Sequence, residues 1–156
     1  MTKKRVTASQ LLQAQAVQMN SRQFSQDATR LSLTLERSEV FFQQLEGKIP
    51  VEVEGARYIL RFIKVSGTWQ LMLQAIGPDG EMDGPKTPVR QATVWEKAEA
   101  AKLLPALYEK LKTSLELLRS NVAEALDCLD ELPFLPLVSS ISTVTRQEGD
   151  ADDLSS

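Results

Sequence analysis

The sequence contains no histidine and a single cysteine, Cys128. Without histidine, the chain lacks the commonest general base, the histidine-dependent nucleophile pairs and every metal site built on imidazole. One cysteine cannot form an intramolecular disulfide or supply a thiolate metal cage. Because the absence of disulfides suits a reducing compartment, we expect a cytoplasmic protein. Because the usual catalytic and metal-binding side chains are lacking, we expect that it is not an enzyme and uses no cofactor.

Long apolar runs and a large excess of one charge are also lacking. No stretch approaches the roughly 20 apolar residues needed to cross a bilayer, so we expect no membrane association. Lys and Arg number 18 against 21 Asp and Glu, and the acidic surplus lies in the C-terminal tail. The neutral body disfavours sequence-independent binding to nucleic acid, whose affinity comes mainly from positive charge.

Two acidic clusters resemble sites for chemistry in part. The stretch 79–84, DGEMDG, begins like a calcium loop, but position 12, which needs a bidentate Glu, is Arg90. Asp127 and Glu131 are four residues apart and share one helical face, yet the sequence indicates no pocket or partner base for them. We interpret both clusters as solvated surface, and the sequence predicts no catalytic, metal or cofactor-binding residue.

The N-terminal third predicts one long helix. Thr7 followed by Gln10 is a capping box, and Gly47 is a typical C-terminal stop, so we expect a helix from about residue 8 to 46. An interruption near residues 20–25 is left open. Apolar and small residues spaced by four and three form a helix–helix seam: Phe24, Ala28, Leu31, Leu35, Ser38, Phe42 and Leu45.

A second long helix is predicted after residue 92. Thr93 and Glu96 form another capping box, and Pro133 ends the helix near residue 132. Pro105 lies inside and should kink or divide it. The seam again steps by four and three: Leu104, Tyr108, Leu111, Leu115, Leu118, Val122, Ala125, Leu129 and Leu132.

Between the helices, alternating apolar residues predict a three-stranded antiparallel meander. A two-residue loop at Ser66–Gly67 places Phe62 opposite Leu71, and a two-residue turn at Gly55–Ala56 places Val51 opposite Leu60. Both turns assemble one apolar face: Ile49, Val51, Val53, Tyr58, Leu60, Phe62, Trp69, Leu71 and Leu73. Residues 77–92, rich in proline and glycine, are expected to form a long loop.

These elements predict an α+β fold in one domain, residues 1–132. Residues 1–6 would form a flexible basic arm and residues 133–156 a mostly disordered acidic tail. The two helices would pack on one sheet face, form an antiparallel pair, or both. Because they expose more apolar surface than a small sheet can cover, we expect a homodimer; helices folded back on themselves are the monomeric alternative.

The second face of the sheet is the predicted partner-binding surface. It carries Arg57, Ile59, Arg61, Ile63, Gln70, Met72 and Gln74. Protein interfaces favour such a mixture of aliphatic, Met and Arg side chains. Two alternatives are that the arginine stems simply cover the isoleucines in water, and that the N-terminal helix covers this face.

The expected function is that of a non-enzymatic interaction protein, an adaptor or assembly factor acting as a homodimer on a protein partner. The alternative is nucleic-acid binding through the arm residues Lys3, Lys4 and Arg5 together with the sheet arginines.

Overall fold

A long helix, a four-stranded antiparallel sheet and a second long helix follow one another along the chain. The computed structural model describes residues 5–133. Helix α1 spans Ala8–Gln43 and helix α2 spans Val94–Asp130. Strands β1 Val51–Glu54, β2 Tyr58–Val65, β3 Thr68–Ile76 and β4 Met82–Pro88 form one sheet in that order, and a single 3-10 turn, Val89–Gln91, precedes α2. The α+β prediction is confirmed, with four strands instead of three.

Two compact units divide the chain after Lys112. The first contains α1, the sheet and the start of α2, and the second contains the rest of α2. The predicted acidic tail lies outside the described residues from position 134 onward, as do the first four residues of the predicted basic arm.

Helix α1 begins where the capping box predicted and is continuous. The Thr7 Oγ1 accepts a hydrogen bond from the Gln10 backbone N–H at 3.2 Å, and the Thr7 N–H donates to Gln10 Oε1 at 3.0 Å. The helix runs through residues 20–25 without interruption. It ends at Gln43, with Gln44 as the cap, and so stops a turn before Gly47.

Helix α2 also starts at its capping box, where Thr93 Oγ1 accepts from the Glu96 N–H at 3.2 Å. It continues through Pro105. Within the first unit the helices run in the same direction, since Lys97 Nζ donates to Ser32 Oγ at 3.1 Å and the Tyr108 ring lies 6.4 Å from that of Phe41. The two helices pack on one sheet face, as predicted. They are not an antiparallel pair, because the fourth strand reverses the chain once more before α2.

The β2–β3 register agrees with the prediction. Phe62 lies opposite Leu71 and Arg61 opposite Met72. The backbone turns at Ser66 and Gly67, with φ angles of 51° and 85°. Positive φ at both central residues is typical of the type I′ hairpin, whose twist matches that of the flanking strands.

The β1–β2 register differs from the predicted one by two residues. Val51 lies opposite Phe62, not Leu60, and the Gly55 N–H donates to the Tyr58 carbonyl at 2.8 Å, so the turn lies one residue further along, at Ala56–Arg57. A type II′ turn needs positive φ at its first central residue, and Gly55 does not have it. Because the shift is even, every side chain of β1 keeps its predicted face.

Strand β4 replaces the middle of the predicted long loop at 77–92. It pairs with β3 at both ends, Ile76 opposite Met82 and Met72 opposite Pro88, with an irregularity in between. Gly84 has a φ of 79° there, a conformation that glycine adopts easily. Proline is tolerated because β4 is an edge strand, whose outer N–H groups need no partner strand.

The core lies between the first sheet face and the two helices. Phe62 is fully buried at its centre, with ring centroids 5.3 Å from Phe42 on α1 and 5.2 Å from Trp69 on β3. The other residues exposed by at most 3% are apolar: Leu35, Leu60, Leu71, Leu73, Val89, Ala100, Leu107 and Leu111.

Candidate functional site

The residues predicted to bind a partner do share the second sheet face, but its centre is buried. Ile59, Arg61 and Met72 are only 5%, 8% and 5% exposed. Ile63, Gln70 and Gln74 are half-buried, and Arg57 is exposed.

Arg61 is held on this face by three neighbouring side chains. Its Nε donates to Glu52 Oε2 at 2.8 Å, one terminal nitrogen donates to Gln74 Oε1 at 2.7 Å, and the other lies 3.1 Å from Met82 Sδ. Gln74 in turn donates to the Gly84 carbonyl at 3.0 Å. Arg61 is only 8% exposed, so its stem is packed within the face, and its guanidinium is already occupied and not free to bind a phosphate.

Helix α1 does not cover this face, because it packs on the opposite one and along the edge of β3. Phe42 of α1 contacts Phe62. Glu39 Oε2 accepts from the Leu71 N–H at 2.8 Å, and Gln43 Nε2 donates to the Trp69 carbonyl at 2.7 Å. These two side chains bond the part of β3 that extends beyond β4.

The Arg61 cluster gives a prediction about stability. Replacing Arg61 with Ala should lower the free energy of unfolding by about 1–2 kcal/mol, mainly through lost packing of its stem, because Glu52 is largely exposed and its ion pair is screened by water. Chemical denaturation measures the change, with Arg57→Ala as the control on the same face. A loss no larger than that of the control would contradict the assigned role of Arg61.

Helix α1 exposes a run of large apolar side chains in its N-terminal half. Every residue of the segment 8–27, here called the free segment, is exposed. Five large apolar side chains in it are 54–70% exposed: Leu11, Leu12, Val17, Met19 and Phe24. Most helical stability in proteins comes from packing an apolar face against another element. The free segment therefore has the character of a helix that packs against something else.

An apolar groove of about 600 Å³ separates α1 from α2 in the first unit. Two of its twelve lining residues, Arg37 and Glu109, are charged. The others are Leu31, Thr34, Leu35, Ser38, Phe41 and Phe42 on α1, and Ala101, Leu104, Pro105 and Tyr108 on α2. Phe41 and Tyr108 are half exposed at 50% and 45%. The groove has the dimensions and lining of a ligand or helix-binding site.

The second unit also carries exposed apolar side chains on a helix. Leu117, Leu118, Val122, Leu126 and Leu129 of α2 are 44–64% exposed. Of the predicted seam residues in the described part of this unit, Leu118, Val122 and Leu129 are exposed, whereas Leu115 and Leu132 are partly buried. Cys128, on the same stretch, is exposed with a free thiol.

The groove was not foreseen from the sequence. Leu31, Thr34, Ser38 and Phe41 follow a three–four–three spacing next to the predicted seam. The exposure of Phe41 depends on the distance between α2 and α1, and the spacing of residues along α1 does not predict that distance. The feature of the sequence that could have indicated the groove is Phe41, a large aromatic residue next to the predicted seam but not part of it.

Within residues 5–133, no group of three or more acidic, cysteine or histidine side chains is placed to hold a metal ion. Asp127 and Glu131 are exposed. None of the helices described has an apolar stretch that would let it span a bilayer.

The chain matches no protein-family model, no curated protein and no solved structure.

Proposed function

We propose that the protein is a non-enzymatic interaction module that acts as a homodimer through its helices. The observation that carries this proposal is the free segment, a fully exposed stretch of α1 with five large apolar side chains. Apolar surface of this extent on a soluble chain marks an interaction site. In this role the protein would serve as an adaptor or assembly factor in the cytoplasm, where an exposed Cys128 stays reduced.

The helices are a better interface than the second sheet face. The centre of that face is buried by its own side chains, whereas interface energy is concentrated in apolar residues that become buried on binding. The sheet face can contribute through its exposed margin, where Arg57 lies.

Sedimentation velocity of the full chain tests the homodimer. We expect the mass of two chains across the micromolar range, and a monomer throughout that range would contradict the proposal. Affinity capture from cells, with and without nuclease, tests the adaptor role. Captured proteins that persist after nuclease support it, whereas a partner set that disappears with nuclease would favour nucleic-acid binding instead.

A further inference from the structure

We propose that the groove between α1 and α2 binds residues 9–20 of α1 from a second copy of the chain, with the two α1 helices antiparallel. The inference rests on the proposed homodimer and specifies its interface. Each copy would then place its free segment in the groove of the other.

The face of α1 that lines the groove continues into the free segment. Phe41, Ser38, Thr34 and Leu31 line it at steps of three, four and three. The same alternation toward the N-terminus passes Asp27, Phe24, Asn20, Val17 and Gln13. Two of the exposed apolar residues, Val17 and Phe24, therefore lie on the groove-lining side of the helix. A two-fold pairing presents this same side of both helices to the partner, as it must.

The free segment has apolar residues on both flanks of this face. Val17 and Phe24 are seven residues apart on one flank, and Leu12 and Met19 are seven residues apart on the other. A helix that lies between two other helices needs such a pair of stripes, one for each wall. Here the walls are α1 and α2 of the partner copy.

Residues 9–20 of the free segment bring no charged side chain into the groove. No charged residue occurs between positions 6 and 21, so burying this part of the helix desolvates no charge. In the groove, the hydroxyls of Thr34 and Ser38 already donate to backbone carbonyls of their own helix, those of Arg30 and Thr34, at 2.8 Å each. An apolar occupant therefore leaves neither hydroxyl without a partner.

The length of α1 places the uncharged stretch of one copy beside the groove of the other. Helix α1 spans residues 8–43. When two such helices overlap fully and run antiparallel, residues 31–42 of one lie beside residues 9–20 of the other, which fall within the uncharged stretch. The exchange is reciprocal and closed, so it ends at two copies rather than extending into a filament.

Charged substitutions test which face forms the interface. Val17→Glu and Met19→Glu, one from each apolar stripe, should each raise the dimer dissociation constant at least about 100-fold, since each buries a carboxylate in an apolar groove. Gln18→Glu introduces the same charge on the side of the free segment that faces away from both apolar stripes, and it should change the dissociation constant less than about threefold. The circular dichroism spectrum checks that all three variants stay folded. Equal effects of all three substitutions would overturn the inference.

Disulfide trapping tests the orientation in a Cys128→Ser background. Mixing the Gln13→Cys and Ser38→Cys chains should yield a covalent dimer under mild oxidation. Each chain alone should not, because in the antiparallel pair the two copies of either residue are about 37 Å apart. A Gln13→Cys chain that cross-links to itself would overturn the inference. A chain that sediments as a dimer but gives no mixed disulfide would overturn this placement and leave the proposed homodimer standing, whereas a monomer would remove both.

Discussion

Replacing Phe62 with Ala should lower the free energy of unfolding by about 3–5 kcal/mol, the usual cost of a large cavity in a packed core. Phe62 is fully buried, and Phe42 of α1 and Trp69 of β3 both pack on its ring. Neither ring can fill the space without moving its own element. Chemical denaturation measures the loss. In a Trp95→Phe background, where Trp69 is the remaining tryptophan, fluorescence would report a changed environment in the folded variant.

The next residue along β2 is a matched control. Ile63 points to the second sheet face and is half-buried, so Ile63→Ala should cost clearly less than Phe62→Ala. Similar losses for the two variants would mean that the core is not on the face to which Phe62 belongs.

The sequence was sufficient to assign strand faces but not every register. For β2 and β3, the pair Ser66–Gly67 selects a turn with positive φ at both residues, and this turn fixes the register. For β1, the alternation of Val51 and Val53 is satisfied equally well by registers two residues apart. Only the conformation of Gly55 and its bond to Tyr58 distinguish them, and neither is encoded in a pattern of apolar residues.

Strand β4 was missed because its composition is that of a loop. Its sequence, MDGPKTP, has two prolines and one glycine, and its place in the sheet comes from pairing with β3 rather than from strand propensity. This omission also changed the expected course of α2, since an additional strand moves the start of the helix to the other end of the sheet.

The candidate site, too, was predicted from the sequence only in part. The sequence placed Arg61 beside Met72 correctly, but it could not show that Arg61 would bond Glu52 and Gln74 and bury the face it was expected to expose. That outcome depends on side-chain conformation. The surplus of apolar residues on the helices, in contrast, is visible in the sequence, and the structure locates it on the free segment and beside the groove.

Replacing Glu39 with Leu should lower the free energy of unfolding by about 2–3 kcal/mol, although leucine is apolar and the site is buried. Glu39 is 7% exposed, and its carboxylate accepts the N–H of Leu71, a residue with no exposed surface. Strand β4 pairs with β3 only from Met72 onward, so this N–H has no strand partner on its outer side. With leucine at position 39, it is buried without an acceptor.

Glu39→Gln separates the hydrogen bond from the charge. The glutamine side chain has nearly the same shape and keeps a carbonyl oxygen that can accept the Leu71 N–H, so we expect stability within about 1 kcal/mol of the original chain. Hydrogen exchange at the Leu71 amide provides a local measurement: it should be fast in the Leu variant and remain slow in the Gln variant. If the Leu variant were as stable as the Gln variant, the hydrogen bond from Glu39 would not be what holds α1 to the open edge of β3. The packing of Phe42 on Phe62 would then have to be sufficient to hold the helix there.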